Sequence, residues 1–446
     1  MNSIIKWIWF AERCGVGSAE MVTVLEKYGS VKEIYIAEHD SYIDKGISER
    51  LADRLSDKSL DGATAILSYC ENAGVEMIPY DSAKYPKTLL SIKDPPAVLY
   101  CLGEIDDLNN VLCISMVGTR HMSEYGMKSA YKIAYEIASA GAVVVSGMAL
   151  GIDSVAACAA IAAGGKTVAV LGCGIDVVYP KQHDKLREAI IKHGAIITEY
   201  PPSTTPRGFN FPTRNRIISG LSQGTVVVDA NENSGSLITA RTAILQGREI
   251  YAVPSNIDSE NSSGTNMLIR DGAQAVLCGY DVVGNYTYMF GKKLNISQLK
   301  QAEERSDFDP QALSSLGIRA RGVSPALFEG ESAKAEKGRN VACKKTTKVE
   351  TGAMKAPKQT KTENSLDVLC NDRANGTEPG DSSRAVLESL KDVHRRVFEE
   401  MPLDRAVSVD HLMNVGFKLG EVISALTMLE IKGLILSLPG GLYIRK

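Results

Sequence analysis

Apolar residues come in short unbroken bursts through the middle of the chain: "VLCISMVG", "AVVVSG", "TVAVLG", "AIITEY", "TVVVDA", "EIYAVP" and "AQAVLC", all between about residues 111 and 285. Between them run segments such as "SEYGMKSAYKIAYEIASA" and "SLITARTAILQG", whose apolar positions recur three and four apart. Strands buried on both faces read as continuous Val/Ile/Ala runs, and amphipathic helices between them cover those faces. The alternation predicts an α/β fold, a Rossmann-like parallel sheet.

The flanks carry other patterns. Residues 1–75 read as a small helical domain: "CGVGSAEMVTVLEKYGS" sets a tight glycine turn before Met21, Val24, Leu25 and Tyr28, and "KGISERLADRL" repeats glycine, serine and helix. Such turns resemble helix-hairpin-helix units, whose amides meet DNA phosphates, although a bundle used only for packing has the same pattern. The sheet domain is expected over 76–290. From 291 to 380 the periodicity fades, and "KAEKGRNVACKKTTKVETGAMKAPKQTKTENS" has few large apolar residues to offset its ordering entropy. It reads as a flexible, mildly basic linker, either an inert tether or a weak, salt-sensitive nucleic-acid contact. Over 381–446, "RAVLESLKD", "HRRVFEEM", "SVDHLMN" and "LGEVISALTMLEIKGLILSLPGGLYIRK" predict helices and a closing hairpin, the pattern of a C-terminal winged-helix domain. Its candidate recognition helix, Leu419 to Lys432, sets Glu421 and Glu430 against Lys432, which suits protein contact or dimerisation at least as well as duplex binding.

Composition narrows the chemistry. A chain of 446 residues is expected to hold two or three domains, and its formal charge of -3 argues against a uniformly basic surface. A local basic pocket is compatible with that total, because the field in a cleft follows the few charges lining it. Nine cysteines without a C-x-x-C pair fit reduced, buried thiols and speak against a zinc site. The opening "MNSIIKWIWF" is too short for a membrane span and lacks a small-residue cleavage site, so a cytoplasmic protein is expected.

In a parallel sheet, ligands sit beyond the carboxyl ends of the strands. There the chain places Gly118, Thr119 and Arg120 in "VGTRHMSEYG", Ser146, Gly147 and Gly151 in "SGMALGID", Gly172 and Gly174 in "LGCGID", and Ser234, Gly235 and Ser236 in "NENSGSLITA". Glycine and serine before a helix present N–H groups to an anion, and several such loops at one sheet edge, with arginines, point to a phosphate site. "LGCGIDV" lacks the third glycine of a dinucleotide fingerprint, and no P-loop motif is present. Cys173 and Ser236 have no neighbouring base to activate them, and His121, His183 and His193 lack metal-ligand spacing and read as surface or cap residues.

"MVGTR", "VVVSGMALGID", "TVAVLGCGIDVVYP", "IITEYPP", "FPTRNRIISGLS", "SGSLITARTAILQGREIYAVPS" and "GTNMLIRDGA", in this order from Val117 to Ala273, together resemble the DprA/Smf family of bacterial DNA-processing proteins. The upstream "YPKTLLSIKDPPAVLYCLG" is similar to the family's lead-in. The resemblance implies a homodimeric single-stranded DNA-binding protein that protects incoming DNA in natural transformation and loads the RecA recombinase, with no catalysis, no cofactor and no membrane. It places phosphates on Gly118, Thr119 and Arg120 and on the segment offering Arg207, Phe209, Phe211, Arg214, Asn215 and Arg216, with Phe209 or Phe211 stacking on a base. Four positions depart from the family pattern: Leu150 where arginine is usual, Ala157 for histidine, the region near His183 for asparagine, and Ser255 for glycine. These imply weaker DNA binding. The rival phosphoribohydrolase enzymes of related fold carry "PGGxGT", whereas the only "PGG" here is Pro439 to Gly441.

Within "FPTRNRII", a cap at Thr213 would make Ile217, Ile218 and Leu221 a buried stripe that Arg214 continues. Arg216 lies about 200° from Arg214 on the helical wheel. Arg214 is therefore expected to be buried and paired with Glu199 or Asp229, and Arg216 to be open to phosphate.

Overall fold

The computed structural model describes residues 3–105, 108–306 and 308–318, then 392–402, 407–417, 422, 425–426, 429, 434–438 and 442–445. The expected linker from 319 onward, nearly all of "RAVLESLKD" and most of Leu419 to Lys432 lie outside the described residues. The chain divides into two units, Met1–Cys343 and Lys344–Lys446.

The first unit is built on a sheet of nine strands: β1 (Glu76–Pro79), β2 (Val98–Gly103), β3 (Cys113–Gly118), β4 (Val143–Ser146), β5 (Thr167–Val170), β6 (Gly194–Thr198), β7 (Gly224–Val228), β8 (Glu249–Ala252) and β9 (Gln274–Ala275). Their spatial order is β1-β2-β6-β5-β4-β3-β7-β8-β9. The seven apolar bursts are β3 to β9, all parallel, while β2 runs antiparallel to both its neighbours. The period of two along each strand sorts side chains to opposite faces. Ile114, Met116, Val144, Ala169 and Ile196 join one core, which includes residues of the helices Glu124–Ser139, Ile152–Ala162 and Asp184–Lys192. Cys113, Val117, Val145, Val170 and Ile197 join the other, with residues of the helices Asn210–Leu221 and Gly235–Leu245. Chain order reverses between β3 and β7, so the switch point lies beyond Gly118 and Val228.

Six short helices from Ser3–Cys14 to Asp61–Ala73 precede the sheet, closing around Trp7, Ile8, Trp9 and Phe10, and the Trp7 ring lies 6.3 Å from Tyr80 just after β1. After the sheet, residues placed in the linker by composition fold back: the helices Ile296–Glu303 and Pro310–Ser315 bury Leu299 and Leu313, which the polarity of their neighbours concealed. Among the described residues no helix is long and apolar enough to cross a membrane.

The second unit carries the helices Asp392–Glu400 and Val409–Asn414 and a three-stranded antiparallel sheet, β10 (Val407–Ser408), β11 (Ile435–Leu438) and β12 (Leu442–Arg445), in the order β10-β12-β11. Val422, Ala425, Leu426 and Leu429 recur at helical spacing and are buried with Val397 and Leu412.

Candidate functional site

A crevice of about 640 Å³ opens at the switch point, lined from the loop after β3 by Gly118, Thr119, Arg120 and His121, and from the helix Asn210–Leu221 by Phe211, Arg214 and Asn215. Asn231, Asn233, Ser234, Gly235 and Ser236, leading into the helix Gly235–Leu245, complete one side, and Tyr179 lies on the rim. Gly118 has no room for a side chain, since a Cβ there would stand 2.0 Å from the Val228 carbonyl oxygen. Gly151, at φ 84°, would place its Cβ 2.2 Å from the Thr119 carbonyl, so both glycines serve close backbone approach under the crevice.

The four predicted anion loops differ in what they still offer. After β4, Ser146 is buried and its Oγ donates to the Met116 carbonyl at 2.7 Å, so it does not face a ligand. The Gly147 N–H donates to Asp153 Oδ2 at 3.1 Å, and Ala149 also hydrogen-bonds this carboxylate. Here the anion is internal, and the expectation of open amides at Ser146 and Gly147 is corrected. After β3, the Thr119 N–H donates to the Asp229 carbonyl at 2.8 Å, and Ser123 N–H to the Asp229 carboxylate at 2.6 Å. After β5, Gly172 packs beneath Phe211 and the Gly174 N–H donates to the Thr204 carbonyl. In the loop after β7 the Asn233 and Ser234 N–H groups donate to Asn231 and the Ser236 N–H to the capping Ser234, which leaves Gly235 open, where a Cβ would meet nothing within 4 Å.

The arginines divide differently from the expectation. The helix begins at Asn210, with Phe209 at the cap position, and Thr213 lies inside it, donating to the Phe209 carbonyl at 3.1 Å. Asn210 fixes that start by donating to the Gly172 carbonyl at 2.9 Å. Arg214 is buried as expected, yet its Nη1 donates to carbonyls, Gly147 O at 2.9 Å and Val170 O, instead of to Glu199 or Asp229. Burial pushes its pKa down to about 10, with Asp153 the main charge opposing the fall. Arg216, expected to be open, is 5% exposed and donates to Glu199 Oε2, with Asp94 Oδ2 3.3 Å from its Nε. Glu199 Oε1 in turn accepts the Gly17 N–H at 2.8 Å. The wheel angle was sound, but the far side of the helix faces the glycine turn of the N-terminal helices and the Asp94 segment, so it is not solvent.

Arg120 is the exposed cation of the crevice wall, its guanidinium 5.4 Å over the Phe211 ring, with Arg214 5.9 Å from the same ring. Tyr179 lies 5.4 Å from Phe211 at 35°. Arg207 and Phe209 are exposed just before the helix, outside the crevice lining. Sequence reasoning missed Tyr179, Asn231 and Asn233, whose signal was only their position after a strand-end glycine or within "DANENSGS". Of the residues considered for catalysis or metal binding, Cys173 and His183 are buried. Burial pushes the Cys173 thiol up to about 11, far from a nucleophile at neutral pH. His183 proves buried, with Nδ1 3.0 Å from the Met148 carbonyl and its pKa lowered by burial; His121 and His193 are exposed.

Fold and site define a doubly wound α/β protein with a crevice of mixed polar and apolar lining at its switch point, the exposed Arg120 guanidinium on the Phe211 ring, and a winged-helix domain. Residues 76–287 match the family model described as DNA recombination-mediator protein A, and 381–441 match the DprA winged helix domain. The chain is 42% identical over 217 residues to DNA processing protein DprA of Bacillus subtilis, covering 49% of this chain and 73% of that one. It is 30% identical over 452 residues to Protein Smf of Synechocystis, covering 99% and 98%. The X-ray structure of DprA from Streptococcus pneumoniae superposes with a TM-score of 0.56 at 33% identity, covering 63% of this chain and 97% of that one. The chain belongs to the DprA/Smf family of DNA-processing proteins.

Proposed function

We propose that this protein binds single-stranded DNA, with little sequence preference, in the switch-point crevice, and acts in recombination by protecting the strand and delivering it to a RecA-type recombinase. The observation that carries the reading is Arg120, exposed and seated on the Phe211 ring at the wall of the crevice. A guanidinium on an aromatic face keeps its donors in a fixed plane for phosphate, and the Ser234–Ser236 turn adds the Gly235 N–H and a helix N-terminus beside it. Membership of a DNA-processing family supports the same reading. Leu150 adds no charge where the family usually has arginine, so the affinity rests on fewer cations.

The test is a salt titration of the full chain on labelled single-stranded and duplex DNA. Single strands should bind more tightly, and Arg120→Ala should lower the slope of log K against log salt by about 0.7, one phosphate contact. Equal affinity for both forms, or indifference to salt, overturns the reading. RecA delivery predicts faster RecA filament growth in the presence of the protein, and homodimerisation predicts a doubled mass by sedimentation.

A further inference from the structure

Phe211, Phe209 and Tyr179 line or adjoin the crevice, and they are not equivalent. Phe211 is half-buried and closely surrounded: a Cβ on Gly172 would be 3.0 Å from its ring, Arg120 and Arg214 lie 5.4 and 5.9 Å from its centroid, and Tyr179 adjoins it. Its ring is largely occupied in holding Arg120. Phe209 is 67% exposed but does not line the crevice. Tyr179 does line it and is 38% exposed, and among the described residues no cation lies over its ring. It extends the aromatic surface of Phe211 outward, in a crevice that also holds the amides of Asn215, Asn231 and Asn233.

We propose that Tyr179 is a stacking platform for an unpaired nucleobase, with Arg120, steadied on Phe211, taking an adjacent phosphate. The inference rests on the single-strand reading above and adds the part of the ligand that a phosphate site alone leaves unread. A base within a duplex has both faces stacked on its neighbours and cannot cover Tyr179, so the platform itself discriminates against duplex DNA. Stacking is tolerant of sequence because every base has a π-face, while the asparagine amides can meet any base edge.

The experiment compares the full chain and its Tyr179→Ala and Tyr179→Phe variants on oligothymidylate and on an abasic deoxyribose-phosphate oligomer of the same length. Tyr179→Ala should weaken oligothymidylate binding by about 5- to 150-fold and leave abasic binding unchanged, and Tyr179→Phe should stay within about twofold on both. A Tyr179→Trp variant gives an optical readout: its indole fluorescence should be quenched by oligothymidylate and not by the abasic oligomer. The chain's own tryptophans, Trp7 and Trp9, are 2% and 0% exposed among the N-terminal helices and contribute a constant background. Equal loss on both oligomers marks a merely structural role and overturns the proposal, as does no loss on either. If single strands are preferred and Arg120→Ala lowers the salt slope while Tyr179→Ala is silent, only the base platform fails. If the wild type does not distinguish single strand from duplex, the underlying reading fails first.

Discussion

Glu199→Gln and Arg216→Met remove the two halves of one buried ion pair, and the structure makes their costs unequal. Arg216 is 5% exposed and donates to Glu199 Oε2, and its remaining acid, Asp94, is 3.3 Å away and partly exposed. In Glu199→Gln the amide oxygen can still accept the Gly17 N–H, but the guanidinium stays charged and buried with one weakened partner. Removing one member of such a pair costs about 3 to 5 kcal/mol, trimmed here to about 2 to 4 because Asp94 remains. In Arg216→Met the orphans are two carboxyls, Glu199 and the partly exposed Asp94, and each can take up a proton, a response closed to arginine. Burial already raises the pKa of Glu199, with Arg216 the largest charge holding it down, so losing Arg216 sends it higher. Arg216→Met should therefore cost about 1 to 2 kcal/mol at neutral pH and less as pH falls toward the ordinary glutamate value of 4.5. At about 2 °C per kcal/mol for a unit of this size, Glu199→Gln should melt about 4 to 8 °C below wild type, and Arg216→Met about 2 to 4 °C. Thermal unfolding at several pH values measures both. An Arg216→Met variant that is the less stable of the two at neutral pH, or whose deficit does not shrink in acid, would refute the reasoning.

Gly147→Ala puts a Cβ 2.3 Å from Arg214 Nη1, so the guanidinium must leave its carbonyls, and a loss of about 2 to 3 kcal/mol is expected in denaturant titration. Gly235→Ala, with nothing within 4 Å, should stay within about 0.5 kcal/mol and serves as its control. Gly17→Ala combines a φ of 70° with a contact of 2.9 Å to Thr213 Cγ2, so limited proteolysis should release residues 1–75 faster than from wild type. Asp153 is buried and its pKa is raised by desolvation, so only between the unfolded value near 3.8 and the raised folded value does the folded state bind more protons than the unfolded chain, and above that window Asp153 is the anion that the Gly147 amide meets. Its contribution to stability is present below the unfolded value near 3.8 and is lost as pH rises through the raised folded value, and Asp153→Asn should flatten that part of the stability profile.

Much of the sheet was legible because its strands are buried on both faces and therefore unbroken in sequence, as "TVVVDA" and "AVVVSG" show. The strands β1 and β2 were not, because "EMIP" and "VLYCLG" lie at the antiparallel edge, where no alternating helix announces them. The site was legible in part for a related reason. Helical angles within one segment are local, so the divergence of Arg214 and Arg216 could be read from "FPTRNRII". What covers the far side of that helix is not local: Gly17 stands 182 residues from Glu199, and only the folded chain brings its amide there.

The glycine and serine loops carry a sharper lesson about what an anion-binding pattern means. Their amides need acceptors, and the chain supplies most of them from within: carbonyls for Thr119 and Gly174, a hydroxyl for Ser236, and carboxylates elsewhere. Asp153 takes the amides after β4, the Asp229 carboxylate takes Ser123 beyond β3, Glu199 takes Gly17, and Asp176 takes Ser203 at 2.7 Å. Internal carboxylates hold the loops in shape without a ligand, and Asp153, which lines the crevice, also subtracts from its positive potential. On the reading proposed above, the attraction for a polyanion falls on what they leave uncovered, Arg120 on its aromatic seat, the exposed Arg207 next to the crevice, and the Gly235 turn. With single-stranded DNA as the proposed ligand, a site so sparing in charge would gain little from phosphates alone, a larger share of its affinity would have to come from the bases, and the exposed ring of Tyr179 would then matter more than in a crevice lined with arginines.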